Sequence, residues 1–207
     1  MMPPAMQGRA SPSPWVQRFV PSIPPGRVLD LACGSGRHTQ LLAAAGYAVL
    51  AVDRDVAVLA SIAALAQPSA DAGNRVGSRG CVTTRCIDLE QDNADVDALL
   101  QPASFAGIVV TNYLHRPLLP LLFAALIEGG VLIYETFADG NAAFGKPSNP
   151  AFLLQPGELL SACAAAPCAM HVKAFEDGYC AEPKPAMLQR LCAIRGSPGH
   201  VPPAARV

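Results

Sequence analysis

Charge is scarce in this chain. Asp, Glu, Lys and Arg make up 15% of its 207 residues, and the formal net charge is −1. So small an excess gives no general attraction for nucleic acid, and the one basic cluster, Arg75, Arg79 and Arg85, reads as a solvated loop. Long apolar runs are also missing. None reaches the roughly 18 residues of a membrane helix, and the opening stretch MMPPAMQGRASPSP has no apolar core of signal-peptide length. The seven cysteines, Cys33, Cys81, Cys86, Cys163, Cys168, Cys180 and Cys192, are odd in number and form no C-x-x-C pair. That argues against a disulfide framework or a zinc site; they read as small hydrophobes buried in a reducing compartment. The expectation is a cytoplasmic protein with no membrane contact and no metal.

What is present is apolar. A hydrophobic content of 51% at this length supports one domain with a substantial core. Residues 1–14 and 196–207, rich in Pro, Ser and Ala, read as poorly ordered tails, leaving 15–195 as the folded domain. Trp15 to Val20 reads as a helical turn, either lying across a pocket or, preferably, capping the core.

The stretch VLDLACGSGRHTQLLAAAGYAVLAVDRD, Val28 to Asp55, carries the strongest signal. Gly26 to Leu31 reads as a buried strand and Arg37 to Ala45 as a helix with Leu41 and Leu42 inward, stopped by Gly46. Tyr47 to Val52 reads as a second strand ending at Asp53. Strand, glycine turn, helix and strand form a βαβ unit. Its turn exposes backbone N–H groups to a crevice, and Asp53 stands where it can accept from both hydroxyls of a ribose. A nucleoside is the expected ligand. Thr39 occupies the position where a dinucleotide fingerprint places a third small residue. Asp30, at the end of the first strand, would repel a pyrophosphate and favour an ammonium or sulfonium.

These residues, Asp30-Leu31-Ala32-Cys33-Gly34-Ser35-Gly36, resemble the first motif of the class I S-adenosylmethionine-dependent methyltransferases, E/D-x-G-x-G-x-G, with Ala32 in place of the first glycine. The resemblance implies an α/β fold, a Rossmann-like three-layer sandwich whose mixed seven-stranded sheet has a reversed C-terminal strand. The rest of the chain suits it. Asp55 to Ala66 reads as a helix with Val56, Leu59, Ile62 and Leu65 near one face. A loop over Pro68 to Arg79 and a strand over Cys81 to Leu89 follow. A helix over Asp97 to Leu100, a strand over Ala106 to Thr111, a helix over Pro117 to Leu126 and a strand over Gly130 to Phe137 come next. Beyond a long loop, 138–156, the pattern predicts a helix over Pro156 to Ala166 and an antiparallel hairpin of Met170 to Tyr179 with Ala186 to Arg195.

Carried over from the family, S-adenosylmethionine would be held by Asp30, Ala32, Gly34, Gly36, Asp53 and Arg54. Asp88 would accept from the adenine amine with Leu89 beside it, and Asn112 would lie near the methionine moiety. Asn112-Tyr113-Leu114-His115 lacks both prolines of the D/N-P-P-Y/F site of amino-group methylases on DNA, but the polar residues Asn112, Tyr113, His115 and Arg116 at a strand tip need partners. His115, with Tyr113 beside it, is the candidate to accept a proton; His38 is a rival expected to face cofactor or solvent. The loop 138–156 is too long for a mere connection and reads as a lid or acceptor-binding segment, with Glu135 before it facing the pocket. A small-molecule acceptor is the expectation, nucleic acid and protein acceptors being left open. A nucleoside-binding regulator without catalysis and a nicotinamide oxidoreductase are the rival functions.

Overall fold

The computed structural model of the protein describes residues 11–66, 80–91 and 94–197. Seven strands form one sheet: β1 (Arg27–Leu31), β2 (Ala48–Asp53), β3 (Val82–Cys86), β4 (Phe105–Thr111), β5 (Leu126–Phe137), β6 (Met170–Cys180) and β7 (Ala186–Arg195). Their order is β3-β2-β1-β4-β5-β7-β6. The first five pair in parallel, while β7 is antiparallel to both β5 and β6. The mixed sheet with its reversed last strand is therefore as the sequence implies.

Strands β1 and β4 are buried along almost their whole length, because helices cover both faces. Alternate residues face opposite layers. Val28, Val49, Val109 and Ile133 pack with Trp15, Phe19 and Leu42, from α1 (Pro14–Phe19) and α2 (Arg37–Ala44). Leu29, Leu50, Ile108 and Leu132 pack with Leu99, Phe123 and Leu159, from α4 (Ala94–Leu99), α5 (Leu119–Ala125) and α6 (Glu158–Ala164); α3 (Val56–Ala66) lies between β2 and β3 in sequence. No described helix is long and apolar enough to cross a membrane.

Several expectations change at this level. Val56 is 66% exposed, whereas Leu59 and Ile62 are buried: Val56 is the first residue of α3 and precedes the turn that meets the sheet. The side chain of Leu65, the loop 68–79, residues 1–10 and residues 198–207 lie outside the described residues. Ser13 and Pro14, counted with the unordered tail from sequence, belong to the folded body. Ser13 is buried, and its hydroxyl accepts from Trp15 N–H to cap α1. Trp15 and Phe19 pack edge to face, ring centroids 4.6 Å apart, as part of the core. Strand β3 stops at Cys86, leaving Ile87 to Leu89 as a turn. Helix α4 starts at Ala94, not Asp97. Three cysteines are buried, but Cys81 and Cys86 are exposed.

Candidate functional site

The connections from β1 and β4 leave in opposite directions across the sheet, which opens a crevice at their carboxyl ends. The glycine turn after β1 builds one wall. Ala32, Gly34 and Gly36 all have left-handed backbones, with φ of 52°, 49° and 75°. The spaced small residues are thus a conformational requirement, since a side chain disfavours that region. Gly36 has a second reason: a Cβ there would meet Ile62 Cγ1 at 2.7 Å. Gly34 and Ser35 are exposed.

Asp53, at the end of β2, accepts from Gly34 N–H at 2.9 Å through Oδ2 and from Asp55 N–H at 3.0 Å through Oδ1. A carboxylate has about four acceptor positions, so lone pairs remain for a ligand. Ala32, Asp53, Arg54, Ile87, Asp88, Leu89, Glu90 and Tyr113 together line a cleft. Asp88 accepts from Glu90 N–H and the Gln91 amide, and these donors hold its carboxyl below the ordinary range. The Tyr113 hydroxyl is buried with no hydrogen-bond partner among the described residues; burial and the nearby Glu90 and Asp88 charges push its pKa well up. It is a neutral donor waiting at the cleft wall. Sequence reading missed Ile87 and Glu90, although both flank Asp88 in the same turn.

Asp30 is not in the cleft. It is 1% exposed, on the face of β1 beneath α2, and accepts from the Thr39 hydroxyl at 2.6 Å. Burial outweighs the Thr39 and Arg37 contributions and raises its pKa from 3.8 to about 7. Strand alternation explains the correction: Asp30 shares the Val28 face, so its carboxyl ties down the first turn of α2. Thr39, noted from sequence as a departure from the dinucleotide pattern, is its partner. His38 likewise is not open to solvent: it is 1% exposed, held between Ser13 and Thr111. Glu135 is also turned away, buried against Arg190 at 2.7 Å.

Beyond β4, Asn112 is exposed with a left-handed φ of 55°, its N–H donating to Glu135 C=O. His115 lines a second cavity of about 220 Å³ with Glu90, Leu114, Arg116, Pro117, Ala151 and Phe152. The two cavities share Glu90. Four of the five Arg116 N–H donors are engaged: Nε and Nη2 hold Glu158 at 2.6 and 3.0 Å, while Nη1 and Nη2 donate to Ala151 and Leu153 carbonyls at 2.8 Å. Burial works against the Glu158 charge, but Arg116 and Gln155 N–H outweigh it and hold its carboxyl low. The far end of the loop 138–156 is thereby pinned beside the second cavity, which its Ala151 and Phe152 line. Asn141, buried, braces it by donating to Pro147 C=O and accepting from Met187 N–H.

A parallel sheet ordered 3-2-1-4-5 and closed by an antiparallel 7-6 pair, with Ala32 of the glycine turn, Asp53 and Asp88 on one cleft, is a Rossmann-like α/β arrangement that solved S-adenosylmethionine-dependent methyltransferases share. Residues 14–98 match the family model described as tellurite resistance protein TehB. Three solved structures share the fold. A SAM-dependent methyltransferase of Methanosarcina mazei is 14% identical, with a TM-score of 0.63 over 90% of this chain and 98% of that one. An S-adenosylmethionine-dependent methyltransferase of Mesorhizobium loti is 19% identical, with a TM-score of 0.63 over 88% and 96%. TehB from Haemophilus influenzae is 17% identical, with a TM-score of 0.62 over 88% of this chain but 61% of that one. No curated protein sequence matches the chain.

Proposed function

We propose that the protein is an S-adenosylmethionine-dependent methyltransferase acting on a small molecule. The observation that carries this reading is the shared cleft, in which the left-handed glycine turn, Asp53 and Asp88 converge at the carboxyl ends of β1, β2 and β3. When bound, S-adenosylmethionine supplies a methyl group activated on a sulfonium. Asp53 is the acceptor for ribose hydroxyls, Asp88 for the adenine amine, and Leu89 and Ala32 supply apolar contact. The buried Tyr113 hydroxyl is a donor for which such a ligand provides the missing partner. Asn112, at the tip of β4, is assigned to the methionine end.

The second cavity is the acceptor site in this reading. It adjoins the cleft through Glu90, and Leu114, Pro117, Ala151 and Phe152, the last 51% exposed, offer apolar surface. Tellurite is an anion, but the cation lining this cavity, Arg116, is already paired with Glu158. Glu90 adds negative charge. The lining favours a neutral or cationic acceptor with an apolar body. Alignment of donor and acceptor supplies most of the acceleration in such a transfer; where the acceptor carries a proton, His115 is the group assigned to take it.

The test is calorimetric. The demethylated product S-adenosylhomocysteine is expected to bind, and NAD is expected not to displace it; absence of binding at millimolar ligand would sink the reading. Turnover with labelled cofactor over a panel of amines, thiols and carboxylates then separates an enzyme from a nucleoside-binding regulator. Carboxylates as the preferred acceptors would overturn the assignment of the second cavity. Against a nicotinamide oxidoreductase stands the antiparallel β7 with its β6 partner, in place of the parallel sixth strand of the doubly wound dinucleotide fold.

A further inference from the structure

His38 is the second residue of α2, immediately downstream of the Gly34-Ser35-Gly36 turn, and the mechanism above leaves it unused. Its surroundings are specific. Ser13 N–H donates to His38 Nε2 at 3.0 Å, both groups buried. A ring nitrogen that accepts carries no hydrogen, so in the neutral imidazole the proton lies on Nδ1. Nδ1 faces Thr111 Oγ1 at 3.2 Å, and this tautomer makes it the donor there. Burial and the neighbouring Arg37 charge lower the imidazole pKa to about 4, so near neutral pH it stays an acceptor for Ser13. Arg37 reaches the same segment, donating from Nη1 to Ser11 C=O at 3.3 Å.

Two consecutive side chains at the start of α2 therefore grip Ser11 to Ser13, and one of them also holds the tip of β4 next to Asn112. The β4 tip carries Asn112, assigned above to the methionine end of the cofactor, and the glycine turn that leads into α2 begins at Ala32, which lines the same cleft. We propose that His38 is a positioning residue that fixes the Ser11–Ser13 strap against the β4 tip and so shapes the end of the cleft that takes the amino-acid moiety of the cofactor. This rests on the cofactor reading of the site.

The test compares two ligands that share a nucleoside and differ in that moiety, S-adenosylhomocysteine and adenosine. Losing a buried hydrogen bond is worth roughly 5–10-fold in affinity. His38→Ala is expected to weaken S-adenosylhomocysteine by about that factor while adenosine binds as before. His38→Gln, which keeps an acceptor near the Nε2 position, is expected to restore most of it. Ser13 has φ −58°, a value proline adopts, so Ser13→Pro removes the N–H with the backbone angle retained, and Ser13→Ala controls for the lost cap hydroxyl. The effect of Ser13→Pro beyond Ser13→Ala is expected to vanish in the His38→Ala background, because both break one bond. In the ligand-free protein, the Ser13 amide is expected to exchange faster in His38→Ala than in the parent. Equal losses for both ligands, additivity of the two changes, or unchanged Ser13 exchange would overturn the role of His38 alone. A parent protein that binds neither ligand would overturn the cofactor reading and this inference with it.

Discussion

Two buried titratable side chains flank the first turn of α2 and oppose one another. Asp30 has its pKa raised from 3.8 to about 7, and His38 has its own lowered from 6.5 to about 4, each chiefly by burial. A raised carboxyl pKa means the unfolded chain releases a proton first, so the Asp30 contribution to stability declines as pH rises from about 4 to 7. A lowered histidine pKa means the unfolded chain takes up a proton first, so the His38 contribution declines as pH falls from 6.5 to about 4. Over one window the two slopes have opposite sign. Relative to the parent, Asp30→Asn is expected to gain stability as pH rises through it, and His38→Gln to gain stability as pH falls; urea denaturation at several pH values reads both. The same turn offers a backbone pair. Ala32→Gly relieves a left-handed alanine and is expected to change stability by about 0–1 kcal/mol in the favourable direction. Gly36→Ala adds both that strain and the Ile62 overlap, and is expected to destabilise by roughly 2–4 kcal/mol.

Among the elements, the loop between β5 and α6 is where local chemistry and tertiary contacts meet. It folds as two short 3₁₀ turns, Asn141–Ala143 and Pro150–Phe152, and its far end is tied to the segment after β4 by Arg116. Four hydrogen bonds converge on that one guanidinium, so cutting it releases the cavity wall without touching the cofactor cleft. Arg116→Ala is expected to speed hydrogen exchange across residues 150–155 and to raise the acceptor KM by about tenfold or more, with cofactor affinity within a factor of two. Equal effects on both substrates would show that the wall serves the cleft as a whole. Gln189 provides a parallel brace from β7, accepting from Leu159 N–H and donating to Gln155 C=O and Asp177, which sets the start of α6 against the hairpin.

For the whole molecule, ligand linkage gives the broadest check. A ligand bound by the folded state alone stabilises it by about 2.7 kcal/mol at a hundred times its Kd, and for a domain of this size each kcal/mol raises Tm by roughly 2–4 °C. S-adenosylhomocysteine at that excess is therefore expected to raise Tm by roughly 5–11 °C, and NAD to leave it unchanged. A matching rise with NAD would point to the dinucleotide class despite the sheet order. The sheet itself explains why one cleft gathers residues from four loops: parallel strands all present their carboxyl ends on one edge, and the reversal between β1 and β4 parts the connections there.

The order of strands and helices, the position of the glycine turn and the acidic end of β2 at Asp53 were legible in the sequence alone. Each follows from local backbone preference or from hydrophobic period, which act over a few residues. The hairpin of β6 and β7 on either side of Glu182 to Pro185 was legible for the same reason. Which way each side chain points was decided by tertiary structure. Asp30 reads as a ligand from its place in the motif, yet strand alternation and the cover of α2 turn it inward to Thr39. His38 reads as facing cofactor or solvent until Ser13, 25 residues earlier in the chain, closes over it, and Arg116 reads as a site residue until Glu158, 42 residues later, takes its charge. Burial and pairing depend on groups brought together from distant positions, and no short window of sequence contains them.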